Sequence, residues 1–237
     1  MLIKKWEKLP KEFQIEEVRP YYEMLRKKNF SLFWVRVFDV LVSGIMLLIL
    51  FPFLLILSLA IIIDSRGPIF FRQERITQYG KSFRIFKFRT MYQGAEVMGS
   101  SVTTNHDVRV TRVGRFIRKC KIDELSQLID VFRGKMSFVG TRPEIPKYVR
   151  LYKKEYLATL LLPAGITSMA SIMYKDENSL LEEEDDPDET YIKKILPEKM
   201  RYNLKEISKA GFFHNMKIMF MTFFAVLGKN YEDKEND

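Results

Sequence analysis

The chain has 237 residues, enough for one full domain and an appendage, and its 39 Lys/Arg against 30 Asp/Glu give a net charge of +9. One cysteine, Cys120, excludes an intrachain disulfide, and two histidines, His106 and His214, are too few for a histidine-based metal site. These counts suit a reducing, cytosolic setting and leave charge pattern and motifs to define the chemistry.

Residues 1–36 mix Lys, Arg and Glu with aromatics (Trp6, Phe13, Tyr21, Tyr22, Phe30, Phe33, Trp34), which predicts an amphipathic lead-in lying on a surface, a membrane surface among the candidates. It is too polar and too long for the start of a cleaved signal peptide. Val40 to Ile63 then runs for 24 residues without a charge, and roughly 20 apolar residues are enough to cross a bilayer as a helix. Pro52 sits at its middle, removes one backbone donor and predicts a kink. Arg26, Lys27, Lys28 and Arg36 precede the run and Arg66, Arg72 and Arg75 follow it, so the distribution of positive charge sets no orientation. A hairpin with both ends on the cytoplasmic side would produce that symmetry, and a simple span is the alternative.

Asp64 to Pro68 predicts a turn, Ile69 to Phe71 a strand-like piece, and Gln78 to Lys81 a hairpin turn before Phe83 to Arg89. Arginines and lysines interleaved with the aromatics of that last stretch suit stacking on single-stranded nucleic acid, a basic wall for a nucleotide diphosphate, or an edge strand with snorkelling cations. Residues 64–121 hold thirteen Lys/Arg against four Asp/Glu, an excess equal to the net charge of the whole chain. Such a block wants anions, whether nucleotide phosphates, lipid headgroups or nucleic acid. Met98 to Val108 reads as a loop. Arg109, Arg112, Arg115 and Arg118 follow at three-residue intervals, near one helical face, and lead into Asp123 and Glu124.

Ile122, Leu125, Leu128, Ile129 and Phe132 recur at helical spacing, with Gly134 as a stop signal. Asp123 is thereby expected at or near a helix N-terminus, where free N–H groups and the dipole favour an ionised carboxylate; an ordinary capping Asp with a first-turn Glu is the plain alternative. Ser137 to Gly140 reads as a short strand, and Arg142 stands between Gly140-Thr141 and Pro143 in a turn suited to anion capture, with an ordinary surface turn as the equal alternative. Tyr148 to Leu162 predicts an amphipathic helix, Ile166 to Tyr174 a strand or loop, and residues 176–189, with nine acids and no base, a solvated loop. Tyr191 to Lys209 reads as a helix broken at Pro197. Gly211 to Leu227 is apolar nearly all round but short for a span, so it is expected in the membrane interface or packed on the first apolar segment; it would also suit a homodimer contact.

Five ordered motifs carry a resemblance from about Val35 to Thr222. They are Gly67-Pro68-Ile69-Phe70-Phe71-Arg72-Gln73, Lys87-Phe88-Arg89-Thr90-Met91, Asp107 with Arg109 to Arg118, Asp123-Glu124-Leu125 with Gln127-Leu128, and Met136 to Gly140 with Arg142-Pro143. Together they resemble the bacterial sugar transferase domain of the monotopic phosphoglycosyl transferases. The resemblance implies a mixed α/β, mainly helical catalytic domain on a re-entrant membrane helix hairpin broken at Pro52, with interfacial amphipathic helices, on the cytoplasmic face of the bacterial inner membrane among phospholipids. It implies transfer of a sugar 1-phosphate from a UDP-sugar to undecaprenyl phosphate, with release of UMP and use of Mg²⁺. On the matching positions Asp123 would be the nucleophile that forms an aspartyl phosphosugar, and Glu124 would help hold the metal and the geometry. Lys87, Arg112, Arg115, Arg118 and Arg142 are the candidate phosphate-binding cations, and Asp188 matches a further acidic position. The expected organisation is an amphipathic extension over 1–34, the membrane hairpin over 35–64, the catalytic domain over 65–227 and a polar tail over 228–237.

The departures from the family pattern are Ser126 and Thr141 where Pro is usual, an altered run over 163–171, and Asn215 where Asp is usual. A non-catalytic membrane scaffold for anionic lipid or a partner protein is the alternative function, against which the intact Asp123-Glu124 pair argues. No nucleic-acid motif supports a nucleic-acid binder.

Overall fold

The computed structural model describes residues 2–95, 107–175, 177 and 186–231. It is mixed and about 60% helical. The opening segment folds inward: Ile3, Leu9, Phe13, Val18 and Leu25 are buried in the largest hydrophobic cluster, against Leu160, Leu161, Leu196, Met200, Leu204 and Ile207. Helix α1 (Arg19–Lys27) begins with Pro20 in its first turn, where the missing N–H is not needed, and turns Tyr22 and Leu25 into that cluster. The expected surface-lying lead-in is therefore a structural arm of the domain. Its charged residues face water while the apolar residues between them find partners in the helices of the second half.

Helix α2 (Asn29–Asp64) is 36 residues, about 54 Å at the usual rise, and among the described residues it is the one helix long and apolar enough to cross a membrane. It begins earlier than expected and is helical throughout, so the break predicted at Pro52 is not a break in secondary structure. A proline interrupts one ladder bond, and flanking residues surrounded by apolar side chains have no better partner for their backbone groups than the helix itself. One face packs on the domain, with Phe38, Val42, Met46 and Leu50 against a cluster containing Leu128, Val131, Met136 and Phe138, and Leu57 and Ile61 against Phe88 and Ile117. The other face exposes Leu48, Ile49, Ile56 and Ile63. Its C-terminal end is tied down as well: Arg89 donates to the Ser65 carbonyl (2.5 Å) and hydroxyl (2.9 Å), and Asp64 accepts from the Val113 amide (2.9 Å).

Among the described residues three two-stranded sheets follow. Strand β1 (Phe70–Phe71) leads to the hairpin of β2 (Glu74–Ile76) and β3 (Ser82–Arg84), with Glu74 opposite Arg84 and the turn where the sequence predicted it. Strand β4 (Lys87–Phe88) pairs antiparallel with β1, Phe70 opposite Phe88. Helices α3 (Arg112–Lys119) and α4 (Leu128–Phe132) bracket the Asp123-Glu124 turn, and Gly134, at φ 77°, ends the second as its sequence position predicted. Strand β5 (Met136–Val139) precedes α5 (Pro146–Val149) and pairs parallel with β6 (Ala164–Thr167), Ser137 opposite Gly165. The pairing is close: a Cβ on Gly165 would lie 2.1 Å from the Gly140 nitrogen, so no side chain fits there.

The helix expected over 148–162 is instead α5 and a 3₁₀ run over Lys154–Leu161. The strand or loop expected over 166–174 is the end of β6 and then α6 (Met169–Met173), capped by the Ser168 hydroxyl accepting from the Ser171 amide at 3.0 Å. The loop expected over 98–108 lies mostly outside the described residues, as does most of the acidic run. Its end forms α7 (Pro187–Thr190), capped by Asp186. A π-helical turn over Tyr191–Ile195 leads into α8 (Leu196–Lys209), with Pro197 in the first turn, so the expected break is a helix start. Helix α9 (Phe212–Val226) packs on α2 through Phe212 and Phe38, ring centres 5.7 Å apart, and exposes Phe213, Phe220, Phe223 and Val226.

Candidate active site

Strand β4 and the turn after α3 meet through a backbone hydrogen bond from Phe88 to the Asp123 carbonyl (3.0 Å), which sets Lys87 beside Asp123. Lys121, at φ 53°, ends α3 in the left-handed region and turns the chain toward the two acids. Asp123 does not cap a helix. Helical backbone starts at Leu125 with a 3₁₀ turn, no side chain caps it, and the buried Asp123 carboxylate instead pairs with Lys87, Oδ2 to Nζ 2.8 Å. The helix signal in the sequence was real but two residues early, because the first turn is 3₁₀ and the acids occupy the bend before it.

Lys87 also lies 3.6 Å from the Glu124 Oε1, so one ammonium bridges both acids. Arg142 holds Glu124 from the other side in a two-point contact, Nη2 to Oε1 2.5 Å and Nη1 to Oε2 3.2 Å. Burial alone would raise the Glu124 carboxyl, but Arg142 and then Lys87 outweigh it and hold it down at about 2. Glu124 is the larger cause of an opposite, upward shift on Arg142.

Arg118 turns its Nε to the Thr90 hydroxyl at 2.8 Å; burial lowers its pKa, and the charges of Asp123 and Asp107 work against that. It is the member of the arginine series that reaches this centre. Arg112 and Arg115 point to solvent, and their side chains make no hydrogen bond or ion pair among the described residues. Arg109 is bound to Asp107 at 2.6 Å. On α3, steps of three residues slip by about 60° each, so Arg112 and Arg115 stay on the outer side and Arg118 is the one of the three that turns inward.

A second charged group lies beyond the Gly140–Pro143 turn. Glu144 accepts from the Tyr191 hydroxyl (2.5 Å) and faces Lys199 (4.0 Å), which pairs with Glu177 at 2.8 Å. Asp188 belongs here: Lys147 and the Tyr148 hydroxyl bind it and hold its pKa down, and no contact joins it to Asp123 or Glu124. Arg75, in sequence one of the charges flanking the long apolar run, links the groups. Its Nη1 donates to the Pro143 carbonyl at 3.0 Å; burial lowers its pKa, with the charges of Glu144 and Glu124 working against that. Its place one residue before buried Ile76 in a strand was the available signal.

Among the described residues no three His, Cys, Asp or Glu side chains cluster as a metal site. Asp123 and Glu124, converging on one ammonium, are the pair that could hold a divalent cation. A Mg²⁺ site in phosphate chemistry uses one or two carboxylates and completes its shell with substrate phosphates and water, so two acids fit. The departures Thr141, Ser168 and Asn215 line one small cavity of about 50 Å³ together with Asn203, Glu206 and His214; Ser126 is buried below Asp123, 3.4 Å from its carbonyl. Cys120 is exposed at the end of α3.

Residues 30–229 match the bacterial sugar transferase family. Curated relatives share this similarity, among them three transferases. The undecaprenyl-phosphate glucose phosphotransferase of Komagataeibacter xylinus is 42% identical over 144 residues, 58% of this chain and 27% of its own. The UDP-N-acetylgalactosamine-undecaprenyl-phosphate N-acetylgalactosaminephosphotransferase of Aeromonas hydrophila is 37% identical over 139 residues, 57% of this chain and 33% of its own. The UDP-glucose:undecaprenyl-phosphate glucose-1-phosphate transferase of Klebsiella pneumoniae is 32% identical over 193 residues, 80% of this chain and 39% of its own. The chain thus spans less than half the length of these relatives.

Proposed function

Because this chain belongs to the bacterial sugar transferase family, we propose that it transfers a sugar 1-phosphate from a UDP-sugar to undecaprenyl phosphate, releasing UMP and starting the assembly of a glycan. The observation that carries this reading is the bridge of Lys87 across Asp123 and Glu124 with Arg142 on the far side: a carboxylate poised between cations, where a phosphate can meet it without repulsion. Phosphoryl transfer rests mainly on positioning and charge stabilisation, and these side chains supply both.

In the first step an Asp123 carboxylate oxygen attacks the phosphorus that bears the sugar. The bridging P–O bond breaks, and UMP leaves with its electron pair. In the second, an oxygen of the lipid phosphate attacks the same phosphorus and the bond to Asp123 breaks, restoring the carboxylate and yielding the lipid diphosphate sugar. Splitting the transfer lets two polyanions visit one site in turn. Lys87 and Arg142 bind the phosphate oxygens, Arg118 supports the approach beside Asp123, and Glu124 orients Lys87 and Arg142. Mg²⁺ held by Asp123, Glu124 and the donor phosphates would neutralise charge developing on the leaving group.

A monotopic placement on the cytoplasmic face is part of the same reading. Arg36 and Asp39 near the start of α2 and Asp64 at its end all hydrogen-bond to one domain, and a straight span would require that domain on both sides of the bilayer. Cysteines placed at Lys28 and Arg66, in a background lacking Cys120, are expected to react from the same side; reaction from opposite sides would sink the placement.

The reaction is tested by UMP release with undecaprenyl phosphate and a panel beginning with UDP-glucose and UDP-N-acetylgalactosamine, the sugars named for the relatives. With the sugar that supports turnover, Asp123→Asn should lower the rate on the order of 10³-fold or more, as removal of a nucleophile does. A near-normal rate in that variant would rule out the covalent route.

A further inference from the structure

Between Asn29 and Ile63 the only charged residues are Arg36 and Asp39, one turn apart on the same face of an otherwise apolar helix. Ionisable groups in such a segment are costly and are kept where they have partners. Asp39 is 1% exposed. Its carboxylate accepts from the Ser137 hydroxyl at 2.7 Å and from the Phe138 amide at 3.3 Å, both in the middle of β5. Arg36 donates to the carbonyls of Val131 (2.7 Å) and Phe132 (3.0 Å), the last turn of α4. One turn further along α2, Gly44 brings the backbone so close that a Cβ would stand 3.2 Å from the Phe132 ring.

The two elements gripped in this way are the ones that carry the candidate site. Helix α4 continues directly from the Asp123-Glu124 turn, and β5 runs directly into the turn holding Arg142. We propose that Arg36 and Asp39 form a polar latch that fixes the height of the Asp123-Glu124-Arg142 centre relative to the bilayer, as positioning residues for attack by the lipid-borne phosphate. The inference rests on the transfer reading above. A soluble UDP-sugar can reach the centre at any height, whereas a phosphate anchored in the membrane cannot. Loosening the latch therefore weighs on the second half-reaction and spares the first.

The test compares Arg36→Lys and Asp39→Asn with the unaltered protein in proteoliposomes. The KM for undecaprenyl phosphate is expected to rise about tenfold or more, since a misplacement of about 1 Å can cost up to 10²-fold. The KM for the UDP-sugar and single-turnover UMP release should stay within about twofold of the unaltered protein. The defect should shrink with a short-chain polyprenyl phosphate in detergent, and Arg36→Lys should be the milder variant, because one ammonium still reaches one carbonyl. Ser137→Ala, which removes a single hydrogen bond, gives a smaller change of the same kind if the other variants fold poorly. Equal losses in both half-reactions, or an unchanged lipid KM in folded variants, would overturn the latch. Hydrogen exchange provides a readout free of turnover. Amides of α4 and β5 should exchange faster in Asp39→Asn while those of the β2–β3 hairpin do not, and no such difference would overturn the latch as well. Absence of UMP release by the unaltered protein across the panel would instead count against the transfer reading.

Discussion

Two groups of acids and cations flank the Gly140–Pro143 turn, and they are built from the same kinds of side chain. Around Asp123 and Glu124 the cations stay partly open: the Lys87 side chain is 33% exposed and that of Arg142 41%. Around Glu144 they are sealed, with the Lys199 side chain 5% exposed and Glu144 8%. An open cation can exchange a carboxylate for a phosphate at small cost, whereas a sealed one is committed to its partner, since breaking a buried pair strands a charge. Exposure of the cation, more than the presence of an ion pair, separates a site for chemistry from a piece of architecture.

This contrast can be broken by substitution on either side. Within this contrast the largest effect is expected at Arg142→Ala, which should lower kcat/KM for UMP release by about 10²–10³-fold and, by taking from Glu124 its main partner, also cost about 2–3 kcal/mol of stability. Glu124→Gln should cost about 3 kcal/mol of stability at pH 7, read from urea denaturation. Its folded pKa of about 2 lies below the ordinary 4.5, so its contribution is complete above pH 4.5 and fades as pH falls toward 2; the gap between variant and unaltered protein should close over that window. On the sealed side Tyr191→Phe removes a hydrogen bond to a charged group and should cost about 2 kcal/mol of stability while leaving kcat/KM within a few-fold. Asp188→Asn, at a partly exposed pair, should cost less than about 1 kcal/mol. If Tyr191→Phe abolished turnover at full stability, the division between the two groups would fail.

What could be read from the sequence was local. The turn at Gln78–Lys81, the stop at Gly134 and strand β5 each depend on a few adjacent residues, and each is in place. The motif order also located Lys87, Asp123, Glu124, Arg118 and Arg142, which the fold brings to one centre. The arm is not legible as core, because Ile3, Leu9, Phe13 and Val18 are spaced among charges like a surface helix, and most of the cluster they enter lies well over a hundred residues away. The parallel pairing of β5 with β6 is equally non-local. Arg112 and Arg115 share the motif and the three-residue interval with Arg118, but the slip of that repeat around an α-helix leaves both exposed. Pro52 marks a weak point in a ladder of backbone bonds, but a weak point need not be an end.

Cys120 is exposed three residues before Asp123 and is the only thiol in the chain. A dye or nitroxide coupled through maleimide would therefore attach at one native position beside the two acids, with no substitution required. Quenching by lipids labelled at different depths would then read the distance of the Asp123-Glu124 turn from a bilayer to which the protein is bound.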